Sequence, residues 1–404
     1  MIEETHEGTV VDDRFELRER IDDGGFASVW RGIDLDTGTP VAVKCERSGV
    51  HDRAQVRAHF RQELHWFRRF ASGPTPSSLV HFLDGSVGSD GGYVVMEFID
   101  GISIDNYLAS DAPPDIDAFR TVGEPVCRAL EFLHSNGVLH LDLKPGNVLF
   151  RQRGPPVVID LNSAVRTDEG TDMLFEHDPF KPPELTPTDL RDERVGPWSD
   201  VYALGKLLVF LLTGESVPFT TSALDEWEAV DPRSYGADCS SELAAVLQQA
   251  TEPHPRDRFD DAGELYTSLV PFFDTLDRSA LLVHEQSSQR CPVRPGDTLG
   301  RWTPDRQLPT IVLPDVEQFL SPNHATFELA GTDWLLRDRS INGTYVRTSS
   351  DWRYVLSRNG YERRREAGAP VHDSASGESI RLTHGARIAP VSPRFGSPLS
   401  FLTD

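Results

Sequence analysis

Three polar side chains that suit the handling of a phosphoryl group lie within six positions of one another in residues 137–149. Asp142 and Asn147 carry oxygen atoms and Lys144 carries an ammonium group, while the positions around them are largely apolar. Carboxylate and amide oxygens are ligands that magnesium accepts, and an ammonium group can neutralise phosphate oxygens. The stretch is therefore predicted to act on a phosphoryl group and its magnesium ion, rather than to be a surface turn with chance polar residues.

Two further charged residues stand at the ends of apolar runs, where a buried strand presents its last side chain. Lys44 ends the run at residues 40–44 and is one of only four lysines in the chain. Asp160 ends a second apolar run at residues 157–160. An apolar run that ends in a charge places that charge at the edge of a core, and a run that ends in one of only four lysines is unlikely to be an accident.

A carboxylate suited to pair with Lys44 lies in a predicted helix. In residues 60–67 the apolar side chains and Glu63 recur at the i, i+3, i+4, i+7 spacing of one helix face. A charge within an apolar stripe needs a partner of opposite sign. Glu63 is therefore predicted to pair with Lys44, and the alternative is an exposed carboxylate on the helix surface.

These stretches together resemble the protein kinases. Residues 140–147 read His-Leu-Asp-Leu-Lys-Pro-Gly-Asn against the catalytic-loop pattern His-Arg-Asp-Leu-Lys-Pro-x-Asn. The resemblance implies that Asp142 accepts or orients the proton of the attacking hydroxyl and that Lys144 neutralises the transferred phosphate. It also implies that Asn147 and Asp160 bind Mg²⁺, with Asp-Leu-Asn in place of the usual Asp-Phe-Gly.

The same resemblance predicts an ATP site in which Lys44, paired with Glu63, contacts the α- and β-phosphates. The other predicted nucleotide contacts are Ile21, Gly24, Gly25, Val29, Ala42, Met96, Glu97 and Phe98. Met96 would be the gatekeeper, and the backbone of the two residues after it would bind adenine. The glycine-rich loop departs from its pattern, because Asp22 replaces the first glycine and Ala27 the third. An ordinary hairpin turn is the alternative for that segment.

Three charged residues are predicted to brace the fold instead of reacting. Glu184, in a variant of the Ala-Pro-Glu motif, would pair with Arg258, and Asp200 would support the catalytic loop. The resemblance is incomplete here. Leu141 replaces the arginine that reads an activating phosphate, and Glu-His at residues 176–177 replaces Gly-Thr. Activation by such a phosphate is therefore disfavoured, and constitutive activity or another form of control is predicted, while the Glu-His pair leaves the selection of substrate undetermined.

Beyond residue 276 the chain changes to short alternating runs separated by Gly, Pro and Asn, which is typical of a β-sandwich. This part resembles the forkhead-associated (FHA) domain, a phosphothreonine-binding module. The resemblance implies that Arg301 grips the phosphate, Ser321 adds a hydroxyl and Asn342 holds the peptide backbone. His324 would be a structural brace.

The FHA pattern is also incomplete, because Pro322 stands where a binding residue is common and Ile341 offers no hydroxyl. A sandwich that has lost phosphate binding, and that only docks on the kinase lobe, is the alternative for this region. Residues 72–78, rich in Ser, Gly and Pro, are predicted to form a loop.

The predicted fold class is α+β, a bilobal protein-kinase fold followed by an all-β, FHA-like sandwich. The predicted divisions are a tail at residues 1–10, a kinase domain at 11–273, a linker at 274–279 and the FHA-like domain at 280–404. A polar, Arg-rich insertion near residues 348–377 is predicted to be a long loop.

Composition bounds the partners and the location. The chain has 64 acidic against 40 basic residues and a formal net charge of −24, which argues against nucleic acid or an anionic membrane as a partner. Such acidity suits a high-salt cytoplasm, or it reflects codon usage. The four cysteines form no close pair, so neither a zinc site nor a disulfide framework is indicated. No apolar run approaches the ~20 residues of a membrane span, and a cytoplasmic protein is expected.

The predicted function is that of an ATP-dependent serine/threonine protein kinase that uses magnesium, with a protein substrate and a phosphothreonine-containing partner. A pseudokinase scaffold is the alternative, suggested by the departures from the kinase motifs. A small-molecule kinase is disfavoured because Glu184, Asp200 and Arg258 belong to the protein-kinase pattern.

Overall fold

The structure of the chain is a computed structural model. It describes residues 5–23, 27–47, 53–88, 91–109, 116–152, 154–168, 178–186, 195–216, 228–273, 278–304, 308–315, 317–368, 377–394 and 397–403. None of the helices within these ranges is long and apolar enough to cross a membrane.

An antiparallel sheet and one long helix form the first lobe. Its elements are β1 (Val10–Val11), β2 (Phe15–Asp23), β3 (Ala27–Asp34), β4 (Pro40–Glu46), α1 (Arg53–Phe70), β5 (Thr75–Pro76), β6 (Phe82–Gly88) and β7 (Gly91–Glu97). Among the described strands, the sheet order is β1-β2-β3-β4-β7-β6. The buried face of α1 includes Phe60, Glu63, Leu64 and Phe67, so the predicted stripe that contains a carboxylate is confirmed.

The second lobe is mostly helical. Its elements are α2 (Ile104–Ala109), α3 (Ile116–Ser135), β8 (Val138–Leu139), β9 (Val148–Leu149), β10 (Val157–Val158), β11 (Val165–Arg166), α4 (Pro197–Thr213), α5 (Ser241–Ala250) and α6 (Ala262–Phe273). Strand β8 pairs with β11, and β9 pairs with β10. The loop at residues 140–147 therefore leaves one short strand pair and enters the other, and Asp160 follows β10.

Helix α4 is buried almost all round because nearly every one of its side chains is apolar. It begins at Pro197, whose missing N–H would have no partner inside the helix. It ends before Gly214, which takes the left-handed conformation at φ 71° that favours glycine. This helix supports the loop at residues 140–147, because Asp200 in its first turn accepts hydrogen bonds from the N–H groups of His140 and Leu141.

The C-terminal region is β-rich. Its elements are β12 (Ala280–His284), β13 (Arg290–Val293), β14 (Thr298–Arg301), β15 (Ile311–Leu313), β16 (Ala325–Ala330), β17 (Asp333–Asp338), β18 (Thr344–Arg347), β19 (Arg353–Val355), α7 (Arg358–Glu366), β20 (Ser379–Leu382), β21 (Ala386–Pro390) and β22 (Leu399–Leu402). The described strands form two six-stranded sheets, ordered β13-β12-β22-β21-β18-β19 and β20-β17-β16-β14-β15-β5. Phe327 of one sheet stacks on Phe401 of the other, with ring centroids 6.1 Å apart.

The second of these sheets ends in a strand from the first lobe. Residues 72–78 are not a plain loop as predicted, because Thr75 and Pro76 pair antiparallel with Val312 and Ile311. A proline has no N–H to donate, so it is tolerated on such an edge strand. The C-terminal region is thereby joined to the first lobe by backbone hydrogen bonds.

The prediction of one long loop near residues 348–377 is wrong. Strand β19 and helix α7 both lie within it, and β19 pairs with β18. The helix starts at a capped end, since the Ser357 hydroxyl accepts a hydrogen bond from the N–H of Gly360 at 3.0 Å. The polar, Arg-rich composition did not indicate this helix, whose first turn is stabilised by its cap.

Polar contacts fasten the C-terminal region to both lobes. The side-chain amide of Gln289 donates to the carbonyl oxygens of Phe70 and Pro74, at 3.2 and 2.7 Å. On the second lobe, the Asn136 amide donates to the Arg290 carbonyl at 2.7 Å and accepts from its N–H at 3.0 Å. Two ion pairs to α3 are added, Arg294 with Glu131 and Arg128 with Asp297.

Candidate active site

Lys44, Glu63 and Asp160 meet in one crevice between the lobes. The Lys44 Nζ atom lies 3.1 Å from Glu63 Oε1 and 3.1 Å from Asp160 Oδ1. The first contact joins β4 to α1, and the second reaches the residue that follows β10 in the other lobe. The predicted pairing of Lys44 with Glu63 is therefore present.

Charge balance keeps this buried lysine protonated. Burial disfavours the ammonium form of Lys44, but the nearby carboxylates of Asp160 and Glu63 hold its pKa above the ordinary value. Its side chain is 8% exposed. A fixed cation at the mouth of a crevice is suited to bind an anionic ligand such as a polyphosphate.

The catalytic loop holds Asp142 next to an amide and an ammonium group. The Asn147 amide nitrogen donates to Asp142 Oδ2 at 2.9 Å and to the Asp142 carbonyl at 2.8 Å. Lys144 Nζ lies 3.1 Å from Asp142 Oδ2, and the carboxylate remains 17% exposed. The structure thus brings together the three residues with which the sequence analysis began.

The oxygen atoms of Asn147 and Asp160 fit a magnesium site. Because the Asn147 nitrogen faces Asp142, its oxygen is the atom left to bind a cation. Asp160 accepts a hydrogen bond from the Asn162 N–H at 3.0 Å, and its side chain is 30% exposed. Mg²⁺ prefers such hard oxygen ligands, and it usually keeps only one or two of them from protein together with water and phosphate.

Asp200 braces the loop from beneath. Its carboxylate accepts from the N–H groups of His140 at 2.7 Å and Leu141 at 2.8 Å, and it lies 2.9 Å from the ring of His134. Burial opposes its charge, yet the hydrogen bond from His134 and the other contacts hold the pKa of Asp200 below its usual value. Leu141 adopts φ 58°, a left-handed conformation that costs a residue with a side chain about 1–2 kcal/mol. The bonds to Asp200 offset that cost.

The predicted pair of Glu184 and Arg258 is present and fully buried. Two parallel hydrogen bonds of 2.9 and 3.1 Å join the guanidinium to the carboxylate, and neither side chain is exposed. Arg258 also donates to the carbonyl oxygens of Glu252 at 2.6 Å and Pro253 at 2.8 Å. These contacts tie the segment before α4 to the segment before α6.

Of the predicted nucleotide contacts that the structure describes, five lie on strands β2, β3, β4 and β7, namely Ile21, Val29, Ala42, Met96 and Glu97, and Phe98 directly follows β7. Ala42 and Met96 are paired across β4 and β7, and each is 8% exposed. Val29 lies opposite Lys44, whereas Ile21 is 48% exposed. Gly24 and Gly25 lie outside the described residues.

Glu97 makes hydrogen bonds that were not predicted from the sequence. Its N–H donates to the His81 carbonyl at 2.9 Å. Its carboxylate is buried and accepts hydrogen bonds from Arg151 at 2.5 Å and from the Trp302 indole at 3.1 Å. The next residue, Phe98, lies under the guanidinium of Arg31, 5.0 Å from the ring centroid. The C-terminal region therefore contacts the segment that joins the two lobes.

Sequence reasoning also missed Lys181. Its Nζ atom donates to Asp142 Oδ1 at 2.5 Å and to the Leu141 carbonyl at 2.6 Å. The one available signal was the scarcity of lysine, since Lys181 is one of only four lysines in the chain and stands next to the variant Ala-Pro-Glu motif.

Two of the predicted phosphothreonine contacts, Arg301 and Asn342, donate to the segment of residues 319–321, which contains the third, Ser321. Arg301 Nε donates to the Leu320 carbonyl at 2.9 Å, and the Ser321 hydroxyl accepts from the Ile341 N–H at 3.3 Å. The Asn342 amide donates to the Phe319 carbonyl at 2.8 Å, and its oxygen accepts from Arg364 at 3.2 Å. Arg364 comes from α7, inside the insertion.

His324 has the geometry of the predicted brace. Its ring accepts from the Ser321 N–H at 3.2 Å and donates to the Gly343 carbonyl at 3.1 Å. Burial lowers its pKa to about 4, so the ring is neutral at neutral pH. The neutral ring holds the loops of Ser321 and Asn342 at a fixed separation.

Comparison with known proteins agrees with this geometry. The model of the protein kinase domain matches residues 15–266. A probable serine/threonine-protein kinase of Corynebacterium efficiens is 31% identical over 275 residues, which are 64% of this chain and 41% of that protein. PknB of Mycolicibacterium smegmatis, named a serine/threonine-protein kinase, is 27% identical over 310 residues, 74% of this chain and 49% of that protein. The chain thus spans less than half the length of these curated relatives. With the family model matched over most of its length and both lobes in place, the chain belongs to the protein kinase family.

Proposed function

We propose that this protein transfers the γ-phosphoryl group of ATP to serine or threonine hydroxyls of proteins. The observation that supports this most is the meeting of Lys44, Glu63 and Asp160, three residues far apart in the chain, at 3.1 Å contacts in one crevice. The relatives that cover most of this chain are named serine/threonine-protein kinases. Glu184, Asp200 and Arg258, which belong to the protein-kinase pattern, favour a protein over a metabolite as acceptor.

This proposal assigns a role to each polar group of the crevice. Lys44 binds the α- and β-phosphates and keeps its orientation through Glu63. Asp142 accepts a hydrogen bond from the substrate hydroxyl and directs the oxygen at the phosphorus atom. Lys144, whose side chain is 39% exposed, is placed to neutralise charge on the phosphoryl group as it moves. Asn147 and Asp160 would hold magnesium, which supplies neutralisation of phosphate charge when bound.

Turnover by the purified chain tests the proposal. With labelled ATP, Mg²⁺ and a panel of serine- and threonine-containing peptides, we expect label on the peptide hydroxyls and its loss when EDTA removes the metal. Lys44→Met should lower turnover at least about 100-fold, because the phosphates lose their fixed cation. Arg256→Met, which removes an exposed cation, serves as the matched control.

Other outcomes would favour the alternatives. Binding of ATP without transfer to any acceptor would support the pseudokinase scaffold, which the departures at Asp22, Leu141 and Asn162 suggest. Transfer to small molecules but not to peptides would support a metabolite kinase.

We also propose that the C-terminal region recognises phosphothreonine in the manner of an FHA domain. The contacts of Arg301 and Asn342 with the segment that carries Ser321 support this, because they bring a cation, an amide and a hydroxyl close together. A guanidinium group suits the planar, bidentate recognition of phosphate oxygens. The docking of the region on both lobes supports the alternative, a purely structural module.

Titration calorimetry with phosphothreonine peptides distinguishes phosphothreonine recognition from a purely structural role. We expect the wild-type protein to prefer a phosphorylated peptide over its unphosphorylated form. Arg301→Ala should weaken binding about tenfold or more, since a charge-assisted hydrogen bond is lost. Arg381→Ala is the matched control, because Arg381 is 64% exposed and pairs with Asp333 instead. Equal binding of both peptide forms would leave only the docking role.

A further inference from the structure

A buried lysine outside the catalytic loop contacts the proposed catalytic base. Lys181 lies in the segment of residues 178–186, just before the one-turn helix Pro183–Leu185. Its side chain is 4% exposed, and its Nζ atom reaches Asp142 Oδ1 at 2.5 Å. Lysine is rarely buried unless it is paired, so this contact is the reason that its ammonium group can stay in the interior.

The contact fixes both oxygens of the Asp142 carboxylate. Oδ2 is held by the Asn147 amide at 2.9 Å, and Oδ1 is held by Lys181 from the opposite segment. A carboxylate anchored at both oxygens cannot rotate away from the position in which it meets a hydroxyl. Lys144 also contacts this carboxylate but is 39% exposed, so it is less restrained than Lys181.

Lys181 also holds the strained residue before the base. The backbone of Leu141, at φ 58°, donates its N–H to Asp200 at 2.8 Å and gives its carbonyl to Lys181 at 2.6 Å. The residue is thus held on both of its backbone polar groups, by one side chain from α4 and one from the segment before it. Strained backbone persists only where its surroundings determine it in this way.

We propose that Lys181 is a positioning residue for phosphoryl transfer: it orients Asp142 and ties residues 178–186 to the catalytic loop. The sequence explains the need for it, since Leu141 has no guanidinium to bind an activating phosphate and residues 176–177 lack the usual Gly-Thr. Lys181 joins residues 178–186 to the catalytic loop through its own ammonium group, so this link needs no activating phosphate. The inference depends on the proposed transfer activity, and it adds a residue to that site.

Steady-state kinetics with ATP and a peptide substrate test this inference in Lys181→Met and Lys181→Arg. For Lys181→Met we expect kcat to fall about 100-fold, as a small displacement of a catalytic group can cause. The KM for ATP should stay within about twofold, because the proposed phosphate contact, Lys44, is held by Glu63 and Asp160. Lys181→Arg, which keeps a cation and several donors, should restore at least a tenth of the wild-type kcat. Arg256→Met, at an exposed site, is the control.

The melting temperature of each variant shows whether it is folded, and kcat is compared only among folded variants. If Lys181→Met does not fold, Lys181→Gln replaces it, because glutamine keeps a donor for the Leu141 carbonyl and removes the charge beside Asp142. A folded charge-free variant with kcat within threefold of wild type would overturn the inference. A kcat above wild type would also overturn it and would show that the ammonium group blocks the base. An equal loss in Lys181→Arg and Lys181→Met would do the same.

The proposed function and the inference about Lys181 would be refuted by different results. A wild-type chain without turnover would refute the proposed function and this inference together. An active wild type whose charge-free variant at residue 181 keeps its kcat would refute the inference alone.

Discussion

Asp142→Asn is expected to reduce phosphoryl transfer about 1,000-fold while ATP binds with unchanged affinity. The substitution keeps the shape of the side chain but removes the group that accepts the substrate proton, and general base catalysis contributes about 10²–10⁴-fold. ATP affinity should survive because Lys44, the proposed phosphate-binding cation, pairs with Glu63 and Asp160. Single-turnover kinetics with a serine peptide and calorimetry with a non-hydrolysable nucleotide measure the two quantities.

The matched control for this experiment is Asp168→Asn, whose carboxylate is 64% exposed and pairs with Arg166. It should leave both turnover and affinity unchanged. Turnover of Asp142→Asn within tenfold of wild type would show that another group directs the hydroxyl. A large loss of nucleotide affinity would show that Asp142 contributes to binding instead of to transfer.

Arg258→Met is expected to lower the free energy of unfolding by about 3–5 kcal/mol. The guanidinium and the Glu184 carboxylate are both fully buried, so the variant leaves an uncompensated charge in the interior. For a domain of this size such a loss corresponds to a fall in melting temperature of about 10 °C. Urea denaturation and thermal unfolding, followed by circular dichroism, give the two values.

A second substitution separates the unpaired charge from the loss of packing. Glu184→Gln combined with Arg258→Met removes both charges, and we expect the double variant to be more stable than Arg258→Met alone. Arg233→Met provides the control, because Arg233 pairs with Asp231 at the surface and should cause no measurable change in melting temperature. A double variant as unstable as the single one would mean that the carbonyl contacts of Arg258 matter more than its ion pair.

The site was predictable where its residues carry a local signal. Asp142, Lys144 and Asn147 lie within six positions, and Lys44 and Asp160 each end an apolar run. Glu63 was identified from helical spacing, because a charge within an apolar stripe is buried and therefore needs a partner of opposite sign. In each case neighbouring residues determine the local backbone, so the pattern is visible in a short window.

The contacts that the sequence did not reveal join segments without periodicity. Lys181 lies in a short segment with two neighbouring prolines, and nothing around it indicates that its ammonium group reaches Asp142, 39 positions away. Strand β5 has only two residues and exists because β15 offers it a partner. The amide of Asn342 is occupied by Arg364, a long side chain whose direction depends on where α7 packs.

The amino-acid sequence alone determined the kinase family and the existence of a β-rich C-terminal region, and it predicted which polar residues meet in the crevice. Tertiary structure decided that this region contacts both lobes, that Glu97 accepts hydrogen bonds from Arg151 and Trp302, and that Lys181 contacts Asp142. The physical reason is that helices and strands follow from residues a few positions apart, whereas buried charges are neutralised by whichever partner the packed chain brings within about 3 Å.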